Sequence, residues 1–161
     1  MTNLSKSTHH ISFNPLCPVL LEEDSFKKAE SLRTLYQHFR EYFQLSFESA
    51  LPIKHTLRVL RTNTLELSLL GSLIHLRYLE LHNFEIKSFP DSIYCLQKLE
   101  ILKLKSFYNL SCLPKQLSCL QNLRHLVVER CDSLSHMCPH IGKLSCLKTL
   151  SVYIVNPEKR T

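Results

Sequence analysis

Three consecutive stretches of the chain can be aligned almost without gaps: LRYLELHNFEIKSFPDSIYCLQK from Leu76, LEILKLKSFYNLSCLPKQLSCLQN from Leu99 and LRHLVVERCDSLSHMCPHIGKLSC from Leu123. A fourth copy begins at Leu147 with LKTLSV, so the first leucines of successive copies lie 23, 24 and 24 residues apart. A fixed period of this length is the signature of a repeat architecture. Each unit is too small to bury its own apolar face, and we therefore expect the copies to stack and share one core.

Each copy opens with the pattern of a short strand. When positions are counted from the first leucine, positions 4 and 6 are apolar, whereas positions 3, 5 and 7 are mixed. This two-residue period is typical of a strand with one buried side. Position 4 is occupied by Leu60, Leu79, Leu102, Leu126 and Leu150. We therefore expect one strand per repeat in a parallel sheet, with strands about 4.8 Å apart and positions 4 and 6 pointing inward.

A second apolar set follows each strand at three- and four-residue spacing, which fits a bent segment with a helical turn. Its aligned members include Ile93, Leu117 and Ile141, and then Leu96, Leu120 and Leu144. Pro90 and Pro114 occupy one equivalent position, where a fixed φ and a missing N–H direct the chain into that segment. In the third copy Cys138 takes this position and Pro139 comes one residue late. We therefore expect a local irregularity there.

The repeat length and the two patterns together predict an α/β leucine-rich-repeat solenoid. Its expected shape is a horseshoe arc, with a parallel β-sheet on the concave face and short helical or irregular segments on the convex side. The predicted repeat domain is 32–155, with about five to six repeats that are best defined over 57–155. The copy from Leu32 is weak because Gln37 stands where an inward residue belongs.

The two ends of the chain depart from the repeat. Residues 1–31 show no repeat pattern, and we expect them to form a junction or amino-terminal cap, with a candidate strand at 9–13. Residues 156–161 are expected to form a carboxyl-terminal tail. Because no copy closes the core after this point, the sequence favours a piece of a longer protein.

Composition places the chain among soluble globular proteins. It has 161 residues, of which 44% are hydrophobic and 21% charged, and both values are ordinary. No apolar run approaches the roughly 18–20 residues that cross a bilayer, and MTNLSKSTHHISF lacks the apolar block of a secretory signal. The seven cysteines cannot all pair. We therefore expect a cytoplasmic protein with reduced thiols and no membrane span.

The net charge of +6 raises the question of nucleic acid. Lysine and arginine residues are spread through the repeats with glutamates among them, and the longest basic runs are short. This distribution favours a mildly basic solvated surface, and we expect no nucleic-acid partner.

The repeats resemble the leucine-rich-repeat region of plant nucleotide-binding leucine-rich-repeat (NBS-LRR) disease-resistance proteins, which are intracellular immune receptors. The resemblance is carried by LGSLIHLRYLEL, FPDSIYCLQKLEILKL, LSCLPKQLSCLQNLRHL and CDSLSHMCPHIGKLSCLKTLSV. The specific marks are the leucine-proline step, the I-x-x-L-x-x-L-x-x-L rhythm after it and the C-x-x-L at Cys131–Leu134. THHISF followed by ESLRTL resembles that family's junction between nucleotide-binding module and repeats. The repeats have no glycine before the proline position, and in this they resemble the cytosolic rather than the extracellular plant repeats.

The resemblance implies a role in defence and innate immunity, but it does not bring a nucleotide site with it. A phosphate-binding loop needs glycines and a Gly-Lys-Ser/Thr end. The chain has two glycines, and neither is followed by Lys-Ser or Lys-Thr. We therefore expect no cofactor, and a truncated or fragmentary relative that lacks the nucleotide-binding module.

The open face of the sheet is the predicted site of function. Positions 3, 5 and 7 mix aromatic, apolar and charged residues of both signs, which suits a protein-binding face. Position 2, at the margin of the sheet, is mostly basic and is suited to an acidic partner. The candidate protein-binding residues are Arg58, Arg61, Arg77, Tyr78, Glu80, His82, Ile101, Lys103, Lys105, Arg124, His125, Val127, Glu129 and Tyr153.

Cysteine and histidine residues raise a second hypothesis, a metal or redox site. Cys112 and His136 share a repeat position, and Cys138, His140 and Cys146 lie nearby in the sequence. However, structural zinc usually shows close C-x₂₋₄-C pairs, and none occurs here. Packing is the better interpretation, with Cys131 in the slot that ends a strand. No signature of a nucleophile with its base is present, so neither a metal site nor a catalytic site is expected.

Three functions follow from these patterns. The first is a protein-recognition module that resembles the ligand-sensing and autoinhibitory repeats of an intracellular plant immune receptor. Its expected partners are a pathogen effector, a guarded host protein or the nucleotide-binding module of a receptor. The second is another cytosolic leucine-rich-repeat signalling scaffold, and the third is a zinc- or redox-active protein. The first two act by binding and not as enzymes.

Overall fold

The computed structural model describes residues 4–13, 28–37, 51–63, 67–82 and 86–152. Within them, seven strands form one parallel sheet, and each strand pairs with its neighbours in the chain. The strands are β1 (His10–Phe13), β2 (Thr34–Gln37), β3 (Val59–Thr62), β4 (Tyr78–His82), β5 (Ile101–Lys105), β6 (His125–Glu129) and β7 (Thr149–Leu150). An open sheet in chain order, with short turns on one side, is a leucine-rich-repeat solenoid, as predicted.

The strands pair in the predicted register. Leu79, Leu102, Leu126 and Leu150 are direct partners in adjacent strands, so position 4 forms one line through the sheet. Burial alternates along β2, β3, β5 and β6, and in β5 positions 4 and 6 are buried while the flanking residues are half-buried. The inward direction of position 4, and of position 6 through β6, is therefore confirmed.

The weak copy from Leu32 is also a true coil of the solenoid. Leu35 pairs with Leu60, as the alignment of position 4 requires. The candidate strand at 9–13 joins the same sheet, because Ile11 pairs with Leu35 and is itself 9% exposed. The repeat pattern alone did not predict this additional strand partner.

Main-chain hydrogen bonds fix the spacing of the coils where the strands begin. The N–H groups of Arg77 and Tyr78 both donate to the carbonyl of Arg58, at 2.8 and 3.0 Å. The same double donation recurs at each step from the carbonyl of His9 to that of Arg124. The backbone at position 2 is therefore regularly spaced from coil to coil.

Short 3₁₀ helices occupy the convex side, where helical turns were predicted. They are Leu51–His55, Leu67–Ser72, Asp91–Cys95, Lys115–Cys119 and Ile141–Lys143. Pro90 and Pro114 directly precede two of them in extended conformations, with φ of −69° and −63°. A 3₁₀ turn of one or two cycles is all that a coil of this length accommodates.

The predicted irregularity in the third copy is confirmed. Its 3₁₀ helix has only 3 residues, whereas the two preceding helices have 5. His140 begins it in the left-handed region, with φ of 62°. His140 is equivalent to Ser92 and Gln116, which lie inside the two preceding helices, so the third helix starts two residues later than its counterparts.

The core lies between the sheet and the convex segments and consists mostly of leucine. Leu76, Leu79, Leu99 and Leu102 are 0% exposed, and Phe107 is the largest side chain that is fully buried. Phe107 also contacts Phe89 with the ring centroids 5.6 Å apart. One continuous apolar interior is therefore shared by successive coils, as stacking requires.

A polar pair replaces two core positions near the amino-terminal end. Gln37 and Thr62 both occupy position 6 and are 2% and 1% exposed. The Thr62 hydroxyl donates to Oε1 of Gln37 at 2.7 Å. The buried amide therefore has a partner in the adjacent coil, which is how this position accommodates a glutamine.

No helix in the part of the chain that the structure describes is long and apolar enough to cross a membrane. The proposed tail at 156–161 lies outside the described residues.

Candidate protein-binding face

The open side of the sheet carries the predicted residues in three parallel rows. Position 3 places Tyr78, Ile101 and His125 next to one another, since they pair directly in β4, β5 and β6. Positions 5 and 7 continue the face in the same three strands with Glu80, Lys103, Val127, His82, Lys105 and Glu129. Tyr153 lies outside the described residues.

Glu80 is the centre of a polar network on this face. Although position 5 points outward, the residue is only 3% exposed. Its Oε1 lies 3.0 Å from Nε2 of His82, 3.4 Å from Nε of Arg61 and 3.6 Å from Nζ of Lys105. The Tyr78 hydroxyl donates to Oε2. One carboxylate thus connects three strands, and we refer to Tyr78, Glu80, His82, Arg61 and Lys105 as the Glu80 network.

The network extends further by two contacts between cations and aromatic rings. The Arg61 guanidinium lies 4.6 Å from the ring centroid of Tyr36, and the Lys103 ammonium lies 5.6 Å from that of Tyr78. Both distances are within the roughly 6 Å at which such contacts are attractive. Lys105 also forms an ion pair with Glu129 at 3.1 Å. The charged side chains of the middle of the face are therefore held in place before any partner arrives.

Protonation of the network is shifted by these contacts. Burial by itself raises the pKa of Glu80, but hydrogen bonds from Tyr78 and His82 and the charges of Arg61 and Lys105 outweigh it, so the net pKa is lowered. Burial, followed by the hydrogen bond to Glu80, raises the pKa of Tyr78. Burial lowers the pKa of His82, and Glu80 only partly opposes this. At neutral pH the network therefore has an ionised Glu80, a neutral His82 and a protonated Tyr78.

Tyr36 is a residue of this face that the sequence analysis missed. It pairs with Arg61 in the adjacent strand and its hydroxyl accepts a hydrogen bond from the guanidinium. Tyr36 occupies position 5 of the weak copy from Leu32. Extending the position 5 column by one coil would have found it.

The face is less polar beyond the network. Ile101 and Val127 are half-buried and lie on neighbouring strands. Nδ1 of His125 lies 3.0 Å from the hydroxyl of Thr149. This end of the face adds apolar contact area beside the charged Lys103 and Glu129, and such a mixture suits a protein interface.

The predicted basic residues Arg58, Arg77 and Arg124 lie at the margin where the strands begin. A cleft there is lined by Arg77, Lys98, Glu100, Asn122 and Arg124. Arg77 forms an ion pair with Glu100 at 3.4 Å. Lys98 and Asn122 were not predicted, because they precede the first leucine of each copy and fall outside the strand pattern.

Cysteine and histidine residues behave as parts of the coils. Cys112 and His136 form an isolated parallel bridge, as their shared repeat position implies. Sγ of Cys131 lies 3.8 Å from the carbonyl of Leu104 and 3.4 Å from that of Glu129, which fits the predicted role at the end of the strand. In the described ranges, His, Cys, Asp and Glu side chains form no group of three or more suited to a metal ion.

The geometry thus defines a class of protein, an open parallel-sheet solenoid with a polar and aromatic face. The sequence matches the family described as "Leucine-rich repeat region" over residues 31–161. Because the match covers most of the chain, this protein belongs to the leucine-rich repeat family. No curated protein matched the chain when the two were compared. Members of the family are generally non-enzymatic scaffolds for binding proteins.

Proposed function

We propose that the chain binds a protein on its concave face, as the ligand-sensing and autoinhibitory repeat region of an intracellular plant immune receptor. The Glu80 network is the observation that supports binding most directly. Its side chains are already ordered, so a partner that contacts them loses less conformational entropy on binding. Tyrosine and arginine, which the network contains, are also the residues that most often dominate interface energies.

The immune role rests on the resemblance of the repeats to those of plant disease-resistance proteins. In such a receptor the repeats hold the nucleotide-binding module inactive, and a ligand from a pathogen shifts that balance. Coupling of this kind requires contacts that differ between the two states. The concave face would supply them in the cytoplasm, to an effector, a guarded host protein or the nucleotide-binding module.

Proximity labelling in plant cells, with this chain as bait, tests the proposal. The informative variant is Lys103→Glu combined with Val127→Asp, which changes two neighbouring side chains of position 5. The matched control is Lys115→Glu combined with Ile74→Asp, because both residues are exposed and lie outside the strands. We expect the concave variant to lose defence-related proteins that the control still labels. Identical labelled sets for the two variants would contradict binding on this face.

A second experiment separates the immune receptor from another cytosolic signalling scaffold. The nucleotide-binding module of a plant resistance protein is co-expressed as a separate chain with the wild type or with the concave variant. Co-purification that the concave variant loses supports the autoinhibitory role. Labelling of cellular partners without any binding of this module would favour the scaffold.

A further inference from the structure

A strip of positive charge runs along the edge of the sheet where the strands begin. It combines position 2 with the residue just before position 1 in five successive coils, and we call it the basic margin. Its residues are Thr56, Arg58, His75, Arg77, Lys98, Glu100, Asn122, Arg124, Cys146 and Lys148. Five of them are lysine or arginine, whereas one is acidic. Because the coils are one strand spacing apart, about 4.8 Å, these charges form a nearly continuous row.

The charges of the basic margin are largely unneutralised by the chain itself. Arg77 forms an ion pair with Glu100, but the two side chains are still 62% and 36% exposed. Among the described residues, no carboxylate lies within ion-pair distance of Lys98, Arg124 or Lys148. The Glu80 network differs in this respect, because its cations surround a buried carboxylate. The margin is therefore the place where an acidic partner gains most.

Local contacts show that the potential along the margin is positive. Nζ of Lys98 lies 3.0 Å from Nδ1 of His75 in the adjacent coil. Partial burial, followed by the positive charges of Lys98, Arg58 and His55, lowers the pKa of His75. A neutral imidazole that accepts a hydrogen bond from the lysine ammonium is the arrangement expected where cations crowd together.

An apolar row lies directly beside the basic margin. Position 3 of three successive coils is Val59, Tyr78 and Ile101, which pair with one another in the sheet and are half-buried. Side chains of an extended segment alternate between its two edges, so one edge can meet the basic row and the other the apolar row. Nucleic acid would leave the apolar row uncovered, since phosphates gain nothing from it. The pairing of rows favours a polypeptide.

We propose that the basic margin and the apolar row together dock an acidic protein segment that alternates carboxylate and apolar side chains. Arginines of the margin would bind the carboxylates, in part through paired N–H donors. The inference goes beyond the proposed function, because it assigns a chemistry to the partner and a second strip of surface to its binding. If the basic margin does not bind such a segment, the proposed binding at position 5 is unaffected, because separate variants test the two surfaces.

The test measures the fluorescence anisotropy of a labelled peptide of about eight alternating Glu and Leu residues. At about 3.3 Å per residue, this peptide in extended form spans five coils. A Glu/Ser peptide of equal length tests the apolar row, and duplex DNA tests the alternative macromolecule. The margin variant is Arg77→Glu with Arg124→Glu. Its control, Lys115→Glu with Lys143→Glu, makes the same change in net charge on exposed convex residues.

We expect the Glu/Leu peptide to bind about tenfold more tightly than the Glu/Ser peptide, and binding to weaken as salt rises from about 50 to about 300 mM. The margin variant should lose about tenfold or more in affinity, and the control less than about threefold. Circular dichroism verifies folding, and Arg77→Gln with Arg124→Gln replaces the margin variant if charge reversal unfolds it. Equal losses in both variants, tighter binding of DNA, or no saturable binding of the Glu/Leu peptide would each overturn the proposal.

Discussion

The middle coils and the last coil share one sequence pattern but not one degree of burial. Leu99 and Leu102, at positions 1 and 4 of a middle coil, are 0% exposed. Leu147 and Leu150 occupy the same positions in the last coil and are only half-buried. On the convex side, Leu117 is 0% exposed, whereas its equivalent Ile141 is half-buried.

The difference follows from the number of neighbours and not from the residues themselves. A middle coil is covered by described coils on both sides, and the last coil on one side only. In a solenoid the stability of a unit is the sum of its own contribution and that of each interface with a neighbour. Identical leucines are therefore expected to contribute unequally.

The largest effect should come from truncating a leucine in each region. Leu102→Ala removes a fully buried side chain, and we expect a loss of about 2–5 kcal/mol in the free energy of unfolding. Leu150→Ala removes a half-buried one, and we expect a loss of about 1 kcal/mol. Urea unfolding followed by circular dichroism measures both. Equal losses would show that the last coil is covered as completely as the middle.

The two glycines of the chain provide a second matched pair. A Cβ at Gly71 would lie 2.8 Å from Cβ of Ser92 in the next coil, whereas a Cβ at Gly142 would have nothing within 4 Å. Neither glycine has a positive φ, so alanine is compatible with both backbones. We expect Gly71→Ala to destabilise by about 1–3 kcal/mol through overpacking. Gly142→Ala should be neutral or stabilise by up to about 1 kcal/mol.

The melting temperatures of the two glycine variants measure this contrast. If the contact with the next coil is the cause, Ser92→Gly should recover part of the loss when it is combined with Gly71→Ala. A loss that persists unchanged in the double variant would assign the cost to the 3₁₀ turn itself.

The comparison extends to the amino-terminal coils, where position 6 is polar. Thr62→Val removes the hydroxyl that donates to Gln37, and we expect a loss of about 1 kcal/mol, the net value of a typical hydrogen bond. Gln37→Leu together with Thr62→Val should cost less than the sum of the single changes, because both partners of the bond are then apolar. Unfolding free energies of the four proteins in this cycle provide the check. Strict additivity would mean that the two side chains are energetically independent.

The repeat pattern predicted the fold because successive coils repeat the same strand and the same short convex segment. The alignment of Leu79 with Leu102 predicts the register of the sheet and the inward or outward direction of the strand side chains in the best repeats. The strand at His10–Phe13 was less predictable, because its four residues HISF lie outside the repeats and form only a short apolar pattern. Its place in the sheet depends on pairing with β2, which a local pattern does not encode.

The candidate face was predicted as a set of residues but not as an arrangement. Alternation places Glu80 outward, yet the residue is buried because side chains from β3, β4 and β5 converge on its carboxylate. Such convergence depends on the lengths and rotamers of long side chains, which a column alignment does not contain. The margin residue Lys98 was missed for a simpler reason, because it lies outside the strand positions that were compared.

The smallest effect should be a pH dependence that belongs to the middle coils. Burial lowers the pKa of His82 from its ordinary 6.5, with the charges of Arg61 and Lys105 acting in the same direction. As the pH falls below 6.5, the unfolded chain therefore binds a proton before the folded chain does, and stability is lost down to the folded pKa. We expect the unfolding free energy to fall between about pH 7 and about pH 5.5, and to fall less in His82→Gln. His136→Gln, at an exposed site outside the Glu80 network, should follow the wild type. If His82→Gln loses stability as steeply as the wild type, the acid sensitivity lies elsewhere than in this network.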